Sequence, residues 1–502
     1  MKKKLAALLK NLIFILCILG MVLHLQRVTV NKSQLELPAS YFKTDEKTDV
    51  ILLGASTVTF GLYPMELWSQ YGYTSFNLGT GEQSFGMSYY LLKEALERNR
   101  PKLVVLDCGR AYRDETTFIP SHLHWVTDTM PLLSKNRLAM IRDLGGGFTV
   151  KERMALYMPL LRYHVRWEEL TKRDFETNEK EMTYGAKINS KVNYDGPYAE
   201  FAIDTKNALG AGSMEYLERI IDLCRQNDTD LLLVTIPLTG MSEEVSQETY
   251  QLRVNAAYAM EAFAAERGVP YLNLIDKAEA IGIDPEADSQ DGLHLNYSGS
   301  TKLTDYIGTY IRDHYDVKDH RDEAGYESFR EDYEAYLAYM PEGILKTVQR
   351  LDVYLDWLKM IKDDERYTII IANAAGNKLD PFADYRDSFA ELGIRTDFDA
   401  SSLTVIDRGE VIEQLEIEDL QTFVEEGLEY HYINDERGLM ISLKPEEPVI
   451  MINRTNYIKD QRGFYIVVYD RELNDLTDSI GIDTTKSRYT IRHYSSLNYR
   501  YK

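Results

Sequence analysis

The sequence predicts a three-layer α/β sandwich on a parallel sheet, preceded by an N-terminal transmembrane helix and followed by a C-terminal β-rich α+β domain. Three observations carry that reading. Lys2, Lys3, Lys4 and Lys10 come before an apolar run from Leu12 to Leu25. From Asp49 to Tyr315, short apolar runs alternate with amphipathic stretches of near-helical spacing. After Arg366, strand-like runs rich in β-branched and aromatic residues replace the helical pattern.

Counted back to Leu5, the first apolar run approaches the roughly 20 residues a bilayer requires. Its lysine flank is expected to stay in the cytoplasm, giving a single-pass protein of the cell membrane with its ectodomain outside. A cleaved signal peptide is the rival. No A-x-A-like site follows the run, and Cys17 lacks the small preceding residue of a lipoprotein. Residues 1–30 are therefore read as a cytoplasmic lysine cluster and an anchor.

In the α/β region, "DVILLG" reads as the first strand, "YPMELWSQYG" as a short helix, "TSFNLG" as the second strand and "MSYYLLKEALERN" as a helix. "KLVVLDCG" is the third strand, "SMEYLERIIDLCRQN" a helix and "DLLLVTIPL" the fourth strand. "NAAYAMEAFAAERG" closes a helix on Gly268, "PYLNLID" is the fifth strand, and "SGSTKLTDYIGTYIRDHY" the last helix. Apolar runs with helices between them imply strands buried on both faces, as in a parallel sheet. This domain is expected over 45–315, with an insertion at about 118–207 that forms a lid or a partner-binding cap. A Tyr-rich helical connector follows at 316–364, and the β-rich domain at 365–502. Its strand runs are "YTIIIANA", "SLTVIDRGEVI", "GLMISLK", "PVIMINRTNY" and "GFYIVVYDRE".

With 502 residues, 44% hydrophobic and 27% charged, the chain has room for two or three globular domains. The formal net charge of −23 and the lack of a basic stripe exclude a phosphate-backbone partner, so no nucleic acid is expected. Of three cysteines, Cys17 lies in the anchor. Cys108 and Cys224 read as small buried hydrophobes or as one bridge, a sparse usage that fits a bacterial exported protein.

The candidate chemistry centres on Ser56. Gly-x-Ser occurs at Gly54-Ala55-Ser56, Gly86-Met87-Ser88 and Gly240-Met241-Ser242, but only the first directly ends a strand run. In a parallel sheet the carboxyl edge is where ligands bind. A serine nucleophile needs a base and a group that orients the base. Of nine histidines, only His294 has an Asp three residues earlier, Asp291, in a Gly-containing loop before the last helix. From that position Asp291 can accept the Nδ1 hydrogen and leave Nε2 to take the serine proton. His122 and His124 alternate around Leu123, which would place both on one face of an extended segment, but no third ligand accompanies them. No metal and no cofactor are expected.

"GAS" at 54–56, "NLGTG" at 77–81 and "DGLH" at 291–294 resemble the first, second and last blocks of the SGNH (GDSL-type) hydrolase superfamily, over about residues 45–315. The resemblance implies an SGNH/flavodoxin-like fold, with Ser56 as nucleophile, His294 as general base and then acid, and Asp291 as orienting carboxylate. It implies an oxyanion hole from the amides of Ser56 and of Gly79 or Gly81. The family's third-block Gly-x-Asn-Asp is missing, and "KLVVLDCGRAYRD" stands in its place. In this the chain resembles the membrane-anchored branch that includes the D-alanyl-transfer protein DltD and the alginate-acetylation proteins. Arg110 is a candidate substitute donor or substrate-binding residue, and with Arg113 it hints at a locally basic site. "QRGFYIVVYDRELNDLTDSIGIDT", read as a turn, a strand and a hairpin, resembles the ILEI (interleukin-like EMT inducer) fold, which binds carbohydrate in some relatives.

The resemblance implies an esterase or acyltransferase that works on acetyl or D-alanyl groups of cell-envelope or exported polysaccharide. Its partners would be an acylated polysaccharide or acyl donor, a membrane O-acyltransferase and envelope-assembly proteins. The alternative from another class is a non-catalytic glycan-binding or assembly scaffold built on a degenerate hydrolase domain.

Overall fold

The computed structural model describes residues 2–30, 38–44, 47–115, 118–168, 170, 182–241, 245–348, 350–373, 385–394, 402–416, 432–434, 438–442, 449–452, 455–458, 464–471, 475–482 and 491–493. The chain forms two compact units, one of residues Met1–Lys187 and Asn193–Tyr336, the other of Ile188–Val192 and Leu337–Lys502. The division falls within the stretch from which the sequence suggests a helical connector.

The first unit begins with a helix, Lys2–Thr29, in which Leu9–Thr29 is long and apolar enough to cross a membrane, at a mean hydropathy of 2.0. Five strands follow: β1 (Val50–Leu53), β2 (Ser75–Asn77), β3 (Leu103–Asp107), β4 (Asp230–Thr235) and β5 (Tyr271–Asn273). They form one sheet in the order β2-β1-β3-β4-β5, every neighbouring pair parallel. All residues of β1 and β3 are buried, which explains why neither strand alternates polar with apolar residues. On one face Val50, Leu52, Val105 and Val234 pack with Leu303, Ile307 and Ile311 of the Tyr297–His314 helix. The helices Phe85–Arg98 and Ala211–Gln226 pack against each other, the latter also against β4. Caps set the helix ends. Ser84 accepts from the Met87 amide at 3.2 Å, Asn296 from that of Gly299 at 3.2 Å, and Gly268 closes its helix at φ 63°. Cys108 and Cys224 are buried free thiols, so the bridge is not formed.

This strand order reverses direction between β1 and β3, so the carboxyl ends of those two strands flank the crevice where doubly wound sheets take their ligands. That is the edge on which Ser56 emerges.

Within the insertion, the described part from Pro120 to Glu168 is helical: Pro120–Thr127, Lys135–Leu144, Val150–Tyr157, Leu160–Tyr163 and a 3₁₀ segment, His164–Glu168. The fully buried Arg137 guanidinium ties these pieces together, donating to the carbonyls of Thr127 (2.8 Å), Leu132 (3.2 Å) and Leu156 (2.5 Å). His122 and His124 therefore lie on a helix rather than an extended segment. His122 stacks on Trp125 and His124 bonds Asp128 at 3.0 Å, so their surroundings are those of packed side chains. No cluster of metal-ligating side chains occurs among the described residues.

The second unit holds two antiparallel sheets. One has the order β15-β14-β13-β6-β7-β8, formed by β6 (Tyr367–Asn373), β7 (Ser402–Asp407), β8 (Glu410–Glu416), β13 (Phe464–Asp470), β14 (Asp475–Ile482) and β15 (Ile491–His493). The other has the order β12-β11-β10-β9, with β9 (Tyr432–Asn434), β10 (Leu439–Ser442), β11 (Val449–Ile452) and β12 (Thr455–Asn456). Ile370, Val405 and Val467 of the first sheet share a core with Ile441, Ile450 and Ile452 of the second. The run "SLTVIDRGEVI" is not one strand. It turns back on itself at Arg408 and Gly409, at φ 51° and 82°, a two-residue hairpin that needs left-handed backbone at both positions. Arg is an uncommon first residue for such a turn, so the sequence signal was weak.

Candidate active site

β1 ends at Leu53, and the chain passes through Gly54 and Ala55 into a short helix, Ser56–Gly61. Gly54 sits at φ 155°, where a Cβ would come within 2.6 Å of Val58 Cγ2 and 3.0 Å of Asp107 Cβ. Only glycine fits this corner, and the corner lifts Ser56 out of the sheet. Behind it, the buried Asp107 knots three strand ends. It accepts from the Thr57 hydroxyl at 2.7 Å and from the amides of Gly109 and Ile236, both at 3.1 Å. The next residue to Ser56 is thereby fixed from below.

His294 arrives from the loop after β5. Asp291 Oδ1 accepts the amides of Leu293 (3.0 Å) and His294 (2.8 Å), which folds the loop into a tight turn. Asp291 Oδ2 lies 2.9 Å from His294 Nδ1. A carboxylate only accepts, so Nδ1 carries the proton and the Nε2 lone pair is free. That Nε2 lies 2.8 Å from Ser56 Oγ, with the hydroxyl as donor. Burial pushes the Asp291 carboxyl up, but the His294 ring and the two amides outweigh it and hold the group below its ordinary range. The loop is fastened to the segment after β4, where Thr239 bonds Ser289 Oγ at 2.7 Å and its amide donates to the Gly292 carbonyl at 3.0 Å. The Phe60 ring lies 4.7 Å from the imidazole, and Lys187 Nζ sits 5.2 Å over Phe60. Together they leave His294 only 8% exposed.

The two glycines offered as oxyanion donors separate. The Gly79 amide is taken by Asn77 Oδ1 at 2.9 Å. Asn77, fully buried at the end of β2, also donates to the carbonyls of Val58 (2.7 Å) and Leu62 (2.8 Å), so it clamps the serine-bearing helix to the glycine loop. The Ser56 and Gly81 amides have no acceptor among the described residues. A Cβ on Gly81 would meet the Trp125 ring at 2.8 Å, so the insertion lies directly against this glycine. Arg110 donates to Glu82 Oε2 at 2.8 Å, and Arg113 to the same oxygen at 3.2 Å. Burial pushes Glu82 up, but the two guanidiniums hold it below its ordinary range. Arg110 is therefore engaged at the residue after Gly81, with its Nε buried and unpaired.

The other two Gly-x-Ser serines differ from Ser56. Ser88 is buried inside the Phe85–Arg98 helix and accepts from Gln83 at 3.0 Å, and Ser242 lies outside the described residues. Asn77, Asp107 and Trp125 carry positioning roles that sequence reasoning missed. For the first two the available signal was a polar residue closing a buried strand, in "TSFN" and "LVVLD".

No family model matches the sequence, and no curated protein matches it. Solved structures similar to this chain include a proposed acylhydrolase from Bacteroides fragilis NCTC 9343, at 11% identity and TM-score 0.29, covering 57% of this chain and 97% of that one. A GDSL-like lipase from Bacteroides thetaiotaomicron VPI-5482 matches at 11% identity and TM-score 0.27, covering 54% and 90%. A lipase/acylhydrolase from Enterococcus faecalis matches at 14% identity and TM-score 0.25, covering 54% and 98%.

Proposed function

We propose that the chain is a membrane-anchored, extracytoplasmic serine esterase or acyltransferase of the SGNH type. It acts on acetyl or D-alanyl groups of cell-envelope or exported polysaccharide. The observation that carries this reading is the continuous relay from Asp291 to His294 to Ser56, with contacts of 2.9 and 2.8 Å, at the strand edge beside two unpaired amides.

In the reaction, Ser56 Oγ attacks the ester carbonyl carbon as its proton passes to His294 Nε2. Asp291 stabilises the imidazolium that forms. The amides of Ser56 and Gly81 receive the oxyanion, each worth about 2–4 kcal/mol in the transition state. His294 then protonates the leaving alkoxide, which departs and leaves an acyl-Ser56. Water or a sugar hydroxyl, deprotonated by His294, attacks this ester and restores the serine. The apolar helix Leu9–Thr29 supports anchorage of the enzyme at the membrane where such glycans are handled.

The test is covalent trapping. A fluorophosphonate incubated with the full-length protein is expected to label one site, mapped to Ser56, with labelling lost in His294→Ala. Equal labelling of Ser56→Ala would overturn the assignment. The fate of the acyl group is read from a soluble acyl-ester donor with and without an oligosaccharide acceptor. Acylated sugar indicates a transferase and free acid alone an esterase.

A further inference from the structure

We infer that the insertion carries a second membrane contact: the surface formed by Val150–Tyr157 and Leu160–Glu168 lies on an anionic bilayer beside the exit of the N-terminal helix. This rests on the reading of that helix as an anchor.

The first ground is misplaced apolar surface. Outside the N-terminal helix, nine of the fifteen large apolar side chains exposed among the described residues fall between Ile119 and Trp167. In the Val150–Tyr157 helix, Val150, Met154 and Tyr157 make an i, i+4, i+7 stripe, which normally faces a core. Here Val150 is 70% exposed, and further along Val165 and Trp167 reach 62% and 67%. Soluble surfaces rarely gather such groups without a partner.

The second ground is continuity with the span. The last turn of the N-terminal helix is not free, because Gln26, Val28 and Thr29 are buried and the helix packs on Leu160–Tyr163 and the 3₁₀ segment. Arg166 Nη1 donates to the carbonyls of Thr29 and Val30, both at 2.7 Å, capping the helix end. The exposed apolar groups of residues 160–167 therefore sit where the chain leaves the hydrocarbon.

The third ground is charge. The segments 150–157 and 160–168 carry Lys151, Arg153, Arg162 and Arg166 against Glu152 and Glu168, in a chain of net charge −23. Cations beside apolar groups and an exposed Trp form the composition of a segment that lies in the headgroup layer of an anionic leaflet. The same insertion reaches Gly81 through Trp125, and Arg137 fastens the end of the Trp125 helix to that of the Val150–Tyr157 helix. The bilayer contact is thus mechanically tied to the catalytic edge.

The test uses the full chain in phosphatidylglycerol/phosphatidylcholine vesicles that contain acyl-chain-brominated lipid, which quenches tryptophan at short range. Trp68, Trp125 and Trp357 are buried or half-buried, so Trp167 is the exposed reporter. The expected result is quenching in the wild type that Trp167→Phe loses, and that weakens when Lys151→Glu and Arg153→Glu are combined. Equal quenching of wild type and Trp167→Phe, in a chain that survives an alkaline wash of the vesicles, would overturn the contact and favour a protein partner for this face. Release of the wild type by that wash would instead overturn the anchor reading.

Discussion

Two histidine–aspartate pairs, one in each unit, differ in what faces the second ring nitrogen. In the first unit His294 bonds Asp291 through Nδ1 and meets the Ser56 hydroxyl at Nε2. In the second, His493 Nδ1 lies 2.8 Å from Asp478 and Nε2 2.5 Å from the Val348 carbonyl. A hydroxyl can donate, so His294 presents a lone pair and can take a proton. A carbonyl can only accept, so His493 must donate from both nitrogens and is held as the imidazolium. Burial opposes that charge, yet Asp478 and the carbonyl raise the His493 pKa above its ordinary value. The same pair of residue types leaves a free lone pair in one place and holds a buried cation in the other, and the third partner decides which.

The contrast breaks most visibly at the serine. Ser56→Ala, which removes the hydroxyl, is expected to cut acyl-ester turnover by about 10⁴-fold or more, read by steady-state release of the alcohol. Asp291→Asn cannot hold the Nδ1–H tautomer and is expected to cost about 10³–10⁴-fold in kcat with little change in KM. Gly81→Ala drives a Cβ into Trp125 and shifts the one loop amide left for the oxyanion, so a loss of about 10²-fold is expected. In the second unit, His493→Ala leaves turnover unchanged. It removes the cation beside the buried Asp478, leaving the carboxylate with the Tyr354 hydroxyl at 3.0 Å, and is expected to lower stability by about 2–4 kcal/mol, measured by denaturant unfolding of the full chain.

The smallest effect is the pH response, where the pairs run in opposite directions. His493 is raised on folding, so its contribution is complete below the ordinary histidine pKa of about 6.5 and fades as pH climbs through the raised value. Asp291 is lowered on folding, so its contribution holds above about pH 3.9 and is lost as pH falls through the depressed value. Thermal unfolding from pH 4 to 9 should show the alkaline decline shrink in His493→Ala and persist in Asp291→Asn.

How far each region could be read from sequence follows from how local its signals are. The strands of the first unit were legible because a parallel strand buried on both faces is a continuous apolar run, as in Val50–Leu53 and Leu103–Asp107. Asp291 and His294 were legible because they lie three positions apart, whereas Asp478 and His493 lie fifteen positions apart and no local spacing announces that pair. The choice between Gly79 and Gly81 rested on Asn77, whose side chain reaches back nineteen residues to Val58, and only the folded chain shows that amide to be occupied. Trp125 against Gly81 was hidden for the same reason, since it joins the insertion to the loop after β2. Strand runs in the second unit were recognised from β-branched content, but the Arg408-Gly409 reversal lacked the Asn-Gly or Asp-Gly signature that marks such turns.

The most direct measurement is rapid-mix hydrolysis of an activated acetyl ester by the full-length protein, with intact-mass analysis of the quenched enzyme. The expected result is a burst equal to one acetyl group per chain, carried on Ser56 and abolished by Ser56→Ala and by His294→Ala, while His493→Ala keeps the full burst. An acetyl adduct on another residue, or an undiminished burst in His294→Ala, would contradict it.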